Sequence, residues 1–159
     1  MENIGLVKNE AEEIKPRYLR SVFGLKCSRC RTGQMFVSKS SYKLKSFMKM
    51  YDRCPACGQH LELEVGFYYG TSYVSYILSI LVSAITFTAW CLTIGVSTTD
   101  GRIFWWMGIN IVLLILLQPY LMRLSRALWL SIFVIYNPRW RVETSEVPER
   151  IVVSEMNNW

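Results

Sequence analysis

Two long stretches of this chain lack charge altogether: no Asp, Glu, Lys or Arg occurs across residues 65–99, and none across residues 103–122. A soluble domain needs charged side chains on every surface segment, whereas a helix crossing hydrocarbon needs roughly 20 residues without them. Catalytic equipment is scarce as well. His60 is the sole histidine, no nucleophile stands with a base, and no phosphate loop or open metal site is visible. An enzyme is therefore the weakest class of function, and the chain reads as non-catalytic. No cleavable signal peptide precedes the first cysteines, which argues against an oxidising compartment and hence against disulfides. No βαβ pattern accompanies them, which argues against a redox dithiol. No ribonucleoprotein or finger motif converts the basic loop of Lys39, Tyr42, Lys43, Lys45, Phe47, Lys49, Tyr51 and Arg53 into a nucleic-acid surface, and attraction to anionic lipid headgroups explains those charges more simply.

Against these absences stands one spaced set of thiols, Cys27-Ser28-Arg29-Cys30 and Cys54-Pro55-Ala56-Cys57. Each pair places two sulfurs on one tight turn, and two facing turns supply the four soft ligands of a tetrahedral Zn²⁺ site. Gly58 follows the second pair directly and Gly33 follows the first a little later, as turns that bend amides back toward sulfur require. The reading is a zinc ribbon over residues 24–66 holding one structural ion on Cys27, Cys30, Cys54 and Cys57. Cys91, inside an apolar run, is core packing.

The uncharged runs are separated by Asp100-Gly101-Arg102 and make a hairpin of two transmembrane helices over residues 67–124. Twelve of the 18 Lys and Arg residues precede the first span, five follow the second, and Arg102 alone lies between. By the positive-inside bias both termini are cytoplasmic and the turn between the spans faces out. Along the first span Ser75, Ser79, Ser83, Thr86, Trp90 and Thr93 recur at helical spacing, and in the second Asn110 and Gln118 must face protein. Counting depth from the turn pairs Gln118 with Ser83 and Asn110 with Thr93, as polar packing inside the hairpin. Trp105 and Trp106 near the outer face, and Arg123 and Arg126 near the inner one, are positioned for a partner or for lipid phosphates.

Outside these parts the signals are weaker. Residues 1–23 form a tail, in which residues 17–23 either rest on the membrane interface or cover the ribbon. Residues 34–38 and 61–65 read as short strands, the second with Glu62 and Glu64 on a solvated face. Pro119 is expected to kink the second helix. The apolar residues 127–136 are too few to span a bilayer and read as part of a C-terminal interfacial helix over residues 125–141, followed by a mobile tail, 142–159.

Taken in order, Cys27-Ser28-Arg29-Cys30-Arg31-Thr32-Gly33-Gln34-Met35-Phe36, Cys54-Pro55-Ala56-Cys57-Gly58, Glu64-Val65-Gly66-Phe67-Tyr68-Tyr69-Gly70, Pro119 and the Arg123, Arg126 pair resemble the small membrane proteins grouped as domain of unknown function 983. The Gly66 to Gly70 sequence looks like the version found in Bacteroidota. The family has no established activity to carry over. Its members are often encoded near genes for haem–copper oxidase assembly, so the resemblance implies an accessory or assembly subunit docked on a larger inner-membrane complex, with a respiratory oxidase as the first choice. The alternative is a membrane-anchored metal-handling protein that passes zinc or copper to a client.

Overall fold

Helix α3, Arg102–Phe133, is the element on which the rest is mounted. The computed structural model describes residues 17–43, 45–95 and 101–145. At 32 residues, α3 is about 48 Å long at ~1.5 Å per residue, far more than the roughly 30 Å of a bilayer's hydrocarbon core. From its start to Tyr120 the only buried position is Asn110; from Leu121 onward Arg123, Leu124, Ser125, Arg126, Ala127 and Leu130 are all buried. One continuous helix, running through Pro119 without interruption, thus has an apolar outward-facing half and a half packed inside protein.

Helix α2, Thr71–Thr93, packs against the first half. Both helices are long and apolar enough to cross a membrane, and only 0% and 6% of their most apolar stretches are buried. Their large side chains, among them Ile77, Ile80 and Ile85 on α2 and Phe104, Val112 and Ile115 on α3, point away from the protein. A core helix of a soluble protein would show the reverse. A short 3₁₀ turn, Phe67–Gly70, leads into α2. It is pinned to α3 by Trp129, whose indole Nε1 donates to the Phe67 carbonyl at 2.8 Å, and by rings of Phe67, Trp129 and Phe133 within 6.3 Å of one another.

The ribbon sits on the second half of α3. Its core joins Cys27, Cys30, Met35, Phe36, Met50, Cys54 and Leu61 to Ala127, Leu130 and Val134 in one apolar cluster. Helix α1, Tyr18–Phe23, packs on the same end of α3: Val22 is buried with Leu121 and Leu124, and the Tyr18 hydroxyl is 2.9 Å from Ser131 Oγ. Leu19 and Phe23 face outward from it.

Four expectations are corrected here. The strands at 34–38 and 61–65 do not form; among the described residues only the isolated bridges Lys26 with Gln34, Phe36 with Met50 and Arg53 with His60 pair, because packing on α3 organises the loops. Glu62 is buried, not solvated, and lies close enough to Arg126 to act on it electrostatically. The second helix continues beyond the apolar span as expected, but it ends at Phe133 and not at residue 141. Residues 125–133 complete α3, and residues 134–145 run irregularly over the ribbon. The apolar character of 127–136 is explained by the ribbon core against which Ala127 and Leu130 pack, 1% and 0% exposed. Residues 142–145, expected in a mobile tail, are held: the Arg29 guanidinium donates to the carbonyls of Glu143 and Thr144 at 2.8 and 2.9 Å. Residues 1–16 and 146–159, also expected as tails, lie outside the described residues.

Candidate metal centre

Each thiol pair folds as the same turn. The N–H of Arg31 donates to the Cys27 carbonyl at 2.8 Å and that of Gly58 to the Cys54 carbonyl at 2.9 Å; the turns close with Cys27 N–H to Gly33 O and Cys54 N–H to Gln59 O. The residue after the second cysteine is left-handed in both, Arg31 at φ 58° and Gly58 at φ 69°. Spacing suggested Gly33 as the first knuckle's counterpart of Gly58. The counterpart is Arg31, which adopts a conformation that costs a non-glycine residue about 1 kcal/mol or more. Its guanidinium is stacked 4.3 Å from the Tyr136 ring centroid and 5.5 Å from that of Tyr18, a cation–π contact of similar magnitude. Gly33 serves a different need. Its amide donates to Cys30 Sγ at 3.3 Å, and a Cβ there would collide with the sulfur of Cys54.

The two turns face each other and bring four sulfurs within 4.8 Å of one another. Cys27 and Cys57 are 3.8 Å apart at sulfur, as are Cys30 and Cys54. Disulfides need about 2.05 Å, whereas a tetrahedron with metal–sulfur bonds of about 2.3 Å has edges of roughly 3.8 Å. The four cysteines can therefore hold a metal ion. Hydrogen bonds from Cys27, Cys54 and Cys57 hold Cys30 well below the usual thiol value, while hydrogen bonding with Cys30, Cys54 and Cys57 together with burial pushes Cys27 up. Cys27, Cys30 and Cys54 are 0 to 2% exposed and Cys57 is half-buried. All four positions are taken by protein, so the site has no vacancy for water or substrate.

Arg29, between the first two cysteines, links the whole unit. Besides its bonds to Glu143 and Thr144 it reaches the Cys57 carbonyl at 3.4 Å, and its own carbonyl accepts from Asn137 N–H at 3.1 Å. Sequence reading missed this role, and it missed Arg31. The available signal was the run 127–136, too short to span and therefore in need of a protein surface.

Arg123 and Arg126 fasten the ribbon to α3. Arg123, 1% exposed, donates from Nε to the Phe47 carbonyl at 2.6 Å and from a terminal nitrogen to that of Ser38 at 2.9 Å, its plane 4.7 Å from the Phe36 ring centroid. Arg126 donates to the Met48 carbonyl at 3.3 Å and lies 4.9 Å from the Tyr68 centroid. Both bind the ribbon's inter-knuckle loop to α3. Burial removes Arg123 from lipid and from partners. At the other end of the hairpin Trp105 is exposed, and Trp106 packs edge-on against Phe87 at 4.9 Å.

Within the hairpin the Asn110 amide accepts from Thr86 at 3.0 Å and donates to Ser83 at 3.1 Å. Ser83 therefore meets Asn110, not Gln118, and Thr93 bonds back to its own helix at the Ala89 carbonyl. The expected register was centred on Gly101. The midpoint between the end of α2 at Thr93 and the start of α3 at Arg102 falls instead near residue 97 or 98, and the pairing shifts by twice that offset. Gln118 is left level with Ser75 and Ser79, lining a cleft with them.

No curated protein and no solved structure matches the chain. Residues 44–134 match a family model described as Protein of unknown function (DUF983), a match that takes in the second knuckle, both long helices and the arginine pair. With the spans and the second cysteine turn both inside the matched region, the chain belongs to that family.

Proposed function

We propose that the chain is a two-span protein of the bacterial inner membrane, both termini cytoplasmic, whose ribbon carries one structural Zn²⁺. In this reading it serves as a non-catalytic accessory or assembly subunit of a larger membrane complex. The observation that carries the reading is the combination of a closed four-thiol site with hairpin faces whose apolar side chains point outward. A closed site stabilises a fold and does no chemistry. Outward apolar faces suit lipid and, where small or aromatic residues lie, another helix. The asymmetry of Lys and Arg supports the orientation. A respiratory haem–copper oxidase is the partner that the family's gene neighbourhood favours. Arg123 is no longer among the partner contacts, which leaves Trp105 and the outer face of the hairpin. The test is a gentle-detergent pull-down of the tagged chain with mass spectrometry and zinc analysis. A stoichiometric membrane companion is expected, and recovery as a monodisperse monomer would count against an accessory role.

One observation favours the second reading, metal handling. Cys57 is half-buried beside a cleft lined by Ala56, Trp140 and Val142, which gives a competing thiol one route to the ion. A handling protein exchanges its metal with a mild chelator within minutes, while a docking ribbon retains it.

A further inference from the structure

A cavity of about 540 Å³ opens between α2, α3 and the ribbon, within the size range of small-molecule sites. Its wall runs from Arg126, where the ribbon begins, to Ser79 and Gln118 within the apolar half of the hairpin, and no carboxylate lines it. Gln118 and Arg126 are eight positions apart, about 12 Å along the helix. The Ser75 hydroxyl is already committed to Ser125 at 2.8 Å and that of Ser79 to the Ser75 carbonyl at 2.9 Å. What these serines offer the cavity is oxygen lone pairs. Among the described residues the Gln118 amide and the Tyr76 hydroxyl have no hydrogen-bond partner, and both line the cavity. An amide without a hydrogen bond in a spanning segment costs on the order of a kcal/mol or more, so a ligand acceptor entering the cavity would satisfy it. Positive charge is concentrated at the upper end: Arg126 stands in the wall with Arg123 buried one turn earlier, and Glu62 lies close enough to Arg126 to act on it. An occupant that satisfies both ends presents an anion at one and uncharged acceptors deeper in the cleft, which a free inorganic anion does not.

We propose that this cleft holds one anionic glycerophospholipid, its phosphate toward Arg126 and its ester carbonyls toward Gln118 and Tyr76. The proposal rests on the membrane reading above and adds the identity of a bound partner. The experiment places the full chain in nanodiscs of phosphatidylglycerol or of phosphatidylcholine. Lipid retained after delipidating detergent washes is counted by native mass spectrometry, with melting temperature and zinc content read in parallel. Wild type is expected to keep one phosphatidylglycerol per chain and to melt higher in phosphatidylglycerol than in phosphatidylcholine. Gln118→Leu and Gln118→Glu are expected to lose that lipid and the melting difference at unchanged zinc content. Equal retention in wild type and both variants overturns the proposal. So does equal retention of phosphatidylcholine, or protection by millimolar inorganic phosphate that matches phosphatidylglycerol, which would make the cleft a simple anion site. Release of wild type from membranes by alkaline carbonate would instead refute the membrane reading; lipid loss from firmly inserted protein touches the cleft alone.

Discussion

Replacing Arg123 by Met removes a guanidinium while keeping most of the stem, and the consequence can be worked from its surroundings. The variant loses two charge-assisted bonds, to the carbonyls of Phe47 at 2.6 Å and Ser38 at 2.9 Å, and the stacking on Phe36. At about 1.5–3 kcal/mol per bond to a charged group, plus about 1 for the ring contact, the gross loss is ~4–7 kcal/mol. Against it stands the relief of a charge buried at 1% exposure, with one terminal nitrogen unbonded among the described residues; removing such a charge returns several kcal/mol. A net weakening of about 2–3 kcal/mol in the grip of α3 on the inter-knuckle loop is expected. If docking supports metal retention, zinc release to a chelator should rise by roughly 30- to 150-fold, since each 1.4 kcal/mol is a factor of ten. Amide exchange over residues 34–51 should quicken by a similar factor while α2 and the first half of α3 stay protected. Arg123→Lys should fall between, because a single ammonium cannot reproduce the planar two-way donation. Unchanged zinc release and unchanged exchange in Arg123→Met would refute the assignment of this residue as a fastener.

The other expectations follow from single contacts. Gly33→Ala should abolish metal binding, because its new Cβ would collide with the Cys54 sulfur, whereas Gly58→Ala, left-handed but meeting only Ser145 Oγ at an ordinary 3.8 Å, should cost only about 1 kcal/mol; competitive zinc titration ranks the two. Asn110→Leu should weaken the hairpin by about 0.6 kcal/mol, the usual worth of a polar contact between spanning helices, measured by thermal unfolding in detergent. His60 is buried, and burial with Arg53 nearby lowers its pKa from the usual 6.5. Its stabilising effect is thus full above about pH 6.5 and is lost as pH falls through the lower folded-state value; His60→Gln should flatten the acid side of a melting-temperature profile. A cysteine at Ser97 should react with an impermeant reagent outside intact cells and one at Ser40 should not, and the opposite pattern would reverse the orientation.

How much of this was legible in the sequence follows the range of the interactions. The cysteine turns are local, spaced by two residues, and their grouping follows from composition alone. The long helices are equally plain, because 20 residues without charge are rare outside segments that cross hydrocarbon. What escaped reading is long-range. Arg123 carries the same side chain whether it meets a lipid phosphate or the carbonyls of Ser38 and Phe47, 85 and 76 positions away. Residues 127–136 are apolar whether they lie on a membrane or under a ribbon. The register of Asn110 hinged on where α2 ends, which uncharged sequence does not mark. Arg31 escaped for a subtler reason: its left-handed turn was assigned to the nearest glycine, whereas two tyrosines stacked on the guanidinium support the conformation there.

The length of α3 joins these parts into one mechanical unit. If the first 30 Å or so of a 48 Å helix lies in hydrocarbon, the remaining 18 Å, about three turns, projects beyond it. Those turns hold Leu121 to Phe133, the stretch that Arg123 and Arg126 clamp to the inter-knuckle loop and whose Ala127 and Leu130 share one apolar core with the cysteines. No flexible linker separates membrane from ribbon on this side, since the same helix serves both. On the other side Phe67–Gly70 makes the connection in one 3₁₀ turn, locked by Trp129. Two short rigid attachments fix the ribbon's orientation relative to the hairpin. A partner gripping both would meet a preformed surface and lose little conformational freedom on binding. A metal carrier has the opposite requirement, because its site must swing toward a client. The rigidity of the mounting therefore weighs on the side of a docking subunit.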